Sequence, residues 1–190
     1  MRVDDLQILA LIDEVDDLRK TRDDHWQIPR VEGEMLYHLA LTTGARRIVE
    51  VGTSYGFSGL FWAAALTRTE GTLHTIDISE KKYDASRAYF QRAGVGDRVV
   101  NHLGDAAEVL PKIEGIVDIG FIDGSDKLAC RTYFDLLWPK LRPGGSILAD
   151  NTGTHPGEMS DYVAYVRSRT DATSVDLPVG NGLEWTVKVG

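Results

Sequence analysis

Residues 48–56, Ile48-Val49-Glu50-Val51-Gly52-Thr53-Ser54-Tyr55-Gly56, decide the fold. Ile48, Val49 and Val51 read as a buried strand, and Gly52 and Gly56 let the chain turn tightly beneath a ligand. The run 57–66 has helical composition, so the turn delivers a helix N-terminus to the same spot. Strand, glycine turn and helix in that order suit a nucleotide-like cofactor. The dinucleotide fingerprint is not met. Counted from Gly52, G-x-G-x-x-G requires glycine at 54 and 57, where Ser54 and Phe57 stand. A glycine loop on its own also occurs as a plain structural turn.

Working outward, residues 3–20 form an amphipathic helix with Ile8, Leu11, Ile12, Val15 and Leu18 on one face. A second helix follows Pro29, over about 31–42, and Gly44 caps it. Alternation then sets in. Strands are expected at 47–51, 72–77, 98–103, 117–122 and 146–149, with helices at 57–67, after Ser79 up to Gly94, at 106–110, near 128–138 and near 157–169. Pro143-Gly144-Gly145 reads as the turn into the fifth strand. Two further strands, near 173–177 and 184–189, have only Gly180-Asn181-Gly182 between them and should pair as an antiparallel hairpin. Five βα units require a mostly parallel sheet with helices on both faces. The expected fold is therefore α/β and Rossmann-like, a seven-stranded sheet closed by an antiparallel hairpin. No composition shift marks a second domain, so 1–190 reads as one domain, with N-terminal helices over 1–44 and the core over 45–190.

The chain has 190 residues, enough to bury roughly 70% of its unfolded surface as a single domain. A net charge of −8 argues against a nucleic-acid backbone as partner. One cysteine, Cys130, excludes an internal disulfide and Cys₄ zinc sites. Acids interrupt the N-terminus too early for a secretory signal, and no apolar run reaches membrane-spanning length. A cytoplasmic protein with a small-molecule partner is the expectation, and the helix at 3–20 offers a homodimer contact.

Ligands of open α/β sheets sit beyond the carboxyl ends of the strands. Those ends here carry Glu50 with Gly52 to Ser58, Asp77, Asp105, Asp123, and Asp150 with Asn151. Asp77 is placed to accept the hydroxyls of a ribose; its structural alternative is a bond to its own turn. Asp105, three residues before Glu108, also has helix-capping spacing. Two carboxylates and an amide oxygen, Asp123, Asp150 and Asn151, are hard donors suited to an octahedral divalent ion. Asn151 can join Asp150 because alternation breaks where the strand ends. Two ordinary turns, at 123 and 150, are the competing reading. The five histidines lack zinc spacing, and His155 sits in the loop leaving strand five. No G-x-S-x-G elbow supports a hydrolase.

From about Ile28 onward these motifs, taken in order, resemble the cation-dependent O-methyltransferases. That group comprises the catechol and caffeoyl-coenzyme A methyltransferases and their bacterial relatives, which use S-adenosylmethionine (SAM). Residues 29–36, 48–58, 75–78, 104–106, 121–123, 148–151 and 180–183 carry the likeness. The resemblance implies that Glu50, Gly52, Thr53, Ser58, Asp77, Asp105 and Ala106 contact SAM, together with Ile28. It also implies that Asp123, Asp150 and Asn151 hold magnesium or a similar ion. The family's proton-taking lysine stands three residues after its first metal-binding aspartate. Here Asp126 holds that place and Lys127 follows, as though one residue were inserted. Asp123 and Lys127 are the candidate catalytic pair, and the displacement of Lys127 points to the ion as the main source of an oxyanion. The segment before the first strand is short and the loop after Asn151 lacks the family's aromatic element, so acceptor identity does not transfer.

The reading is a SAM-dependent O-methyltransferase acting on a small, catechol-like hydroxyl compound with a divalent metal. Its rivals are a metal-independent methyltransferase using Lys127 or His155, a non-catalytic SAM-binding subunit, and, last, a nicotinamide-dependent oxidoreductase.

Overall fold

The structure is a computed structural model that describes residues 6–190. Helix α1 spans Leu6–Leu18, and the expected start at residue 3 lies outside the described residues. Helix α2, Arg30–Thr43, ends because Gly44 turns left-handed (φ 63°) and its N–H closes back on Ala40 and Leu41. Then come β1 (Arg47–Val51), α3 (Phe57–Thr69), β2 (Thr72–Asp77), α4 (Glu80–Arg92) and β3 (Val99–Leu103). Ser79 caps α4 as its sequence suggests, accepting from Lys82 N–H at 3.4 Å. The chain continues through α5 (Ala106–Val109), β4 (Val117–Ile122), α6 (Cys130–Leu137), β5 (Leu141–Asp150), α7 (Pro156–Arg167), β6 (Ala172–Leu177) and β7 (Leu183–Lys188).

The strands form one seven-stranded sheet in the order β3-β2-β1-β4-β5-β7-β6. β1 to β5 are parallel, and β7 runs antiparallel to both β5 and β6. From β1 the chain builds outward through β2 and β3, then returns to lay β4 on the other side of β1. The switch in strand order therefore falls between β1 and β4, the point at which open α/β sheets bind their ligands.

Alternation along β1 divides the core. Ile48 joins a cluster with α1 to α4, including Trp62, Phe61 and Phe90, whereas Val49 and Val51 join Phe134, Trp138 and Tyr162 on the opposite face. The helices thus cover both faces.

Two elements differ from the expectation. β5 begins at Leu141, not at 146: the strand pairs with β4 at Val117↔Leu141, and the register slips so that Ile119 meets Ser146. The Pro-Gly-Gly segment is the extra length of that irregularity, a bulge within the strand. The expected helix near 128–138 is three pieces, a 3₁₀ turn at Lys127–Ala129, α6, and a second turn at Trp138–Lys140 that contains Pro139. Proline cannot donate to the preceding turn, which ends α6 there.

Candidate active site

The loop after β1 is wedged between its two neighbours. Gly52 and Thr53 both donate to Ile76 O at 2.9 and 3.1 Å, and Asp123 N–H donates to Val51 O at 2.8 Å. Gly52 has φ +99°, and a Cβ there would lie 2.7 Å from the Asp123 carbonyl carbon. Gly56, φ +86°, is the N-cap of α3. Ser54 also turns left-handed (φ +46°). The loop is thus a backbone cradle at the head of a helix, at the switch point.

Around it stand the residues expected to meet a cofactor. Glu50 is fully buried, and Thr75 Oγ1 donates to its Oε2 at 2.6 Å while also lying 2.6 Å from Thr53 Oγ1. Burial pushes Glu50 up to about 7, against the hydrogen bonds from Ser58 and Thr75 that favour its charge. Thr53, Ser58, Ala106 and Ile28 are buried, with Ile28 and Ala106 in the core clusters on opposite faces of the sheet. Asp77 accepts from Ser54 N–H at 2.7 Å and from Ser79 N–H at 2.9 Å. It makes the turn contact of its structural alternative, yet each oxygen keeps a lone pair for a ligand. Asp105 caps α5, accepting from Ala107 N–H at 2.7 Å, and is exposed.

The segment before α2 folds over the loop. His25 stacks on Tyr55 with ring centroids 4.8 Å apart, and the Tyr55 hydroxyl donates to Asp24 at 3.0 Å. Lys81 Nζ, at the head of α4, donates to the same Asp24 oxygen at 2.6 Å. Sequence reasoning gave Tyr55 no part in this.

Across the switch point lie the acids of β4 and β5. Asp150 is buried, with Oδ2 accepting from Asn181 Nδ2 at 3.2 Å and Oδ1 lacking a partner. Asn151 has φ +76°, the left-handed turn that breaks the strand alternation and lets neighbouring side chains face one region. Its Nδ2 donates to Thr154 Oγ1 at 3.1 Å, and its Oδ1 is buried without a partner. Lys127 turns inward despite its displaced position: Asp126 caps the 3₁₀ turn, and Lys127 Nζ lies 3.3 Å from Asp123 Oδ1 and 2.8 Å from Gly124 O. His155 is exposed, with Nδ1 3.1 Å from Thr154 Oγ1.

One acid of this cluster escaped the sequence reading. Glu32, on α2, is fully buried and faces Asp150. Burial first, and then the Asp150 carboxylate, push it up to about 9. Its signal was an acid within the apolar stripe of Gly33, Leu36, Tyr37 and Ala40. Burial and the neighbouring Asp150 likewise hold Asp123 well above the usual carboxylate range, and burial raises Asp150. Three carboxyl groups, with Glu32 and Asp123 held toward their protonated forms, share this cluster with the Lys127 ammonium.

Among the described residues, no three His, Cys, Asp or Glu side chains are arranged to hold an ion by themselves, so a cation here needs the amide of Asn151. The bare, buried oxygens of Asp150 and Asn151 fit a hard cation. The left-handed turn at Gly52 and Gly56 and the head of α3 fit a nucleoside cofactor in the same sense. No described helix is long and apolar enough to cross a membrane.

Comparison with known proteins agrees with this geometry. A family model described as a methyltransferase domain matches residues 49–152. A catechol O-methyltransferase of Mycobacterium tuberculosis is 35% identical over 153 residues, covering 76% of this chain and 69% of that protein. Caffeoyl-CoA O-methyltransferase 2 of Zea mays is 31% identical, covering 80% of this chain and 66% of its own length. The solved O-methyltransferase TomG of Streptomyces achromogenes, in complex with SAM, superposes with a TM-score of 0.81. It is 25% identical, and the match spans 97% of this chain and 90% of that one.

Proposed function

This chain belongs to the cation-dependent O-methyltransferases, a family of SAM-dependent enzymes, and on that premise we propose that it methylates one hydroxyl of a small catechol-like acceptor with a divalent cation. The observation that carries the proposal is the pair of buried oxygens without a hydrogen-bond partner, Asp150 Oδ1 and Asn151 Oδ1, on adjacent residues at the end of β5. Such acceptors are costly in a buried site unless a donor or a cation joins them, and a single cation can serve both at once.

Gly52, Thr53 and Ser58 receive SAM at the head of α3, with Glu50 beneath the loop as the counter-charge to a cationic ligand. Asp77 holds the ribose with the lone pairs left by Ser54 and Ser79, and Asp105 with Ala106 flanks the base. SAM supplies the activated methyl group. Asp123, Asp150 and Asn151 hold the cation, whose chemistry is to lower the pKa of an acceptor hydroxyl. In this reading Lys127, whose Nζ donates to Asp123 Oδ1 and Gly124 O, is the side chain that handles the hydroxyl proton. Alignment of acceptor and methyl group supplies most of the acceleration.

The Lys127–Asp123 pair favours a second reading, in which the ammonium replaces the ion and the enzyme is metal-independent. A turnover assay on catechols separates the two. Activity abolished by EDTA and restored by magnesium or manganese supports the cation; indifference to chelator hands the role to Lys127.

A further inference from the structure

The turn between β6 and β7 reaches farther into the site than a hairpin end needs to. Its glycines leave no space for side chains. A Cβ at Gly180 (φ +61°) would lie 3.0 Å from Glu32 Cβ and closer still to Glu32 Oε2, and one at Gly182 (φ +86°) would lie 2.8 Å from Thr152 Oγ1 and closer still to Gly153 N. The turn is therefore packed between α2 and the loop that leaves β5.

Asn181, at its tip, joins all three elements. Its Nδ2 donates to Asp150 Oδ2 at 3.2 Å. Its N–H donates to Glu32 Oε2 at 3.3 Å, and its carbonyl accepts from Gly153 and Thr154 N–H at 2.9 and 3.1 Å. Thr154 in turn accepts from Asn151 Nδ2. The outcome is the same for both neighbours: one polar atom of Asp150 and one of Asn151 is tied down, and the remaining oxygen of each is bare and buried.

We infer that Asn181 is a positioning residue for the cation site, aiming Asp150 Oδ1 through its side chain and Asn151 Oδ1 through the backbone of Thr154. The chemistry at position 181 is restrictive. An aliphatic side chain would remove the donor to Asp150 Oδ2, and a lysine would bring its own charge in place of the ion. An amide donates without adding charge. Outer partners of this kind typically change metal affinity roughly 10- to 100-fold.

This inference rests on the cation reading above, and the experiment separates the two. Manganese binding to the full-length protein is measured by electron paramagnetic resonance and calorimetry, alongside SAM affinity and thermal unfolding, in wild type and Asn181→Ala. Asn181→Ser, which keeps the backbone bonds but cannot reach Asp150, stands in if the alanine variant does not fold. The expected result is a roughly 10- to 100-fold loss of manganese affinity, unchanged SAM affinity, and activity partly rescued by excess manganese. Wild-type manganese affinity in a folded variant overturns the positioning role and leaves the cation reading standing. A wild type that binds no manganese overturns both.

Discussion

Gly52 leaves no room for a side chain, because a Cβ there would lie 2.7 Å from the carbonyl carbon of Asp123 and closer still to its oxygen. The glycine turn and Asp123 are in this way pressed together across the β1–β4 junction. Gly52→Ala must therefore move β4 and force alanine into a left-handed φ at once. A loss of about 2–4 kcal/mol in stability is expected, read by thermal or denaturant unfolding, with SAM binding lost in parallel. A variant as stable as wild type would mean that the junction is looser than described.

Glu50 couples pH to stability and to cofactor binding with opposite signs. Its folded pKa, about 7, lies above its ordinary 4.5, so the folded state binds the proton more tightly. That contribution is complete below about 4.5 and lost as pH rises through about 7. Glu50→Gln should flatten the decline in melting temperature across this window. The same variant should bind SAM more weakly above neutrality, where the wild-type carboxylate is charged. Calorimetry against pH checks both, and parallel pH profiles in the two proteins would contradict the assignment.

Asp77 serves the loop and, by proposal, the ribose. Asp77→Ala should weaken SAM binding by about 1.5–3 kcal/mol, the range for hydrogen bonds to a charged group. Part of that loss comes through Ser54, whose N–H it anchors. An unchanged dissociation constant would return Asp77 to a turn role alone.

The inward course of Lys127 gives it a testable share of the chemistry. With Nζ at 3.3 Å from Asp123 Oδ1, Lys127→Ala should lower kcat about 100-fold while SAM affinity holds. Asp150→Ala should abolish cation-dependent turnover, again with SAM still bound. A Lys127→Ala enzyme near wild-type rate would leave the cation as the main source of the oxyanion.

Much of the architecture was legible because its causes are local. Glycines at 52 and 56, capping by Ser79, the strand-end acids and the Gly-Asn-Gly turn all act within a few residues. Where prediction missed, the cause was a partner strand or a proline: β5 extends to Leu141 because β4 pairs with it across a bulge, and α6 stops at the turn holding Pro139.

The order of elements, the glycine turn and the acids at the strand ends were determined by the sequence alone, since periodicity and turn residues act over short range. Tertiary structure alone decided which distant groups meet. Glu32 and Asn181, 149 residues apart, touch because α2 and the β6–β7 turn pack against the same end of β5. Lys127 reaches Asp123 because a 3₁₀ turn absorbs the displaced residue. Such encounters follow from the closing of the sheet around its switch point, and burial there gives the acids their shifted pKa values.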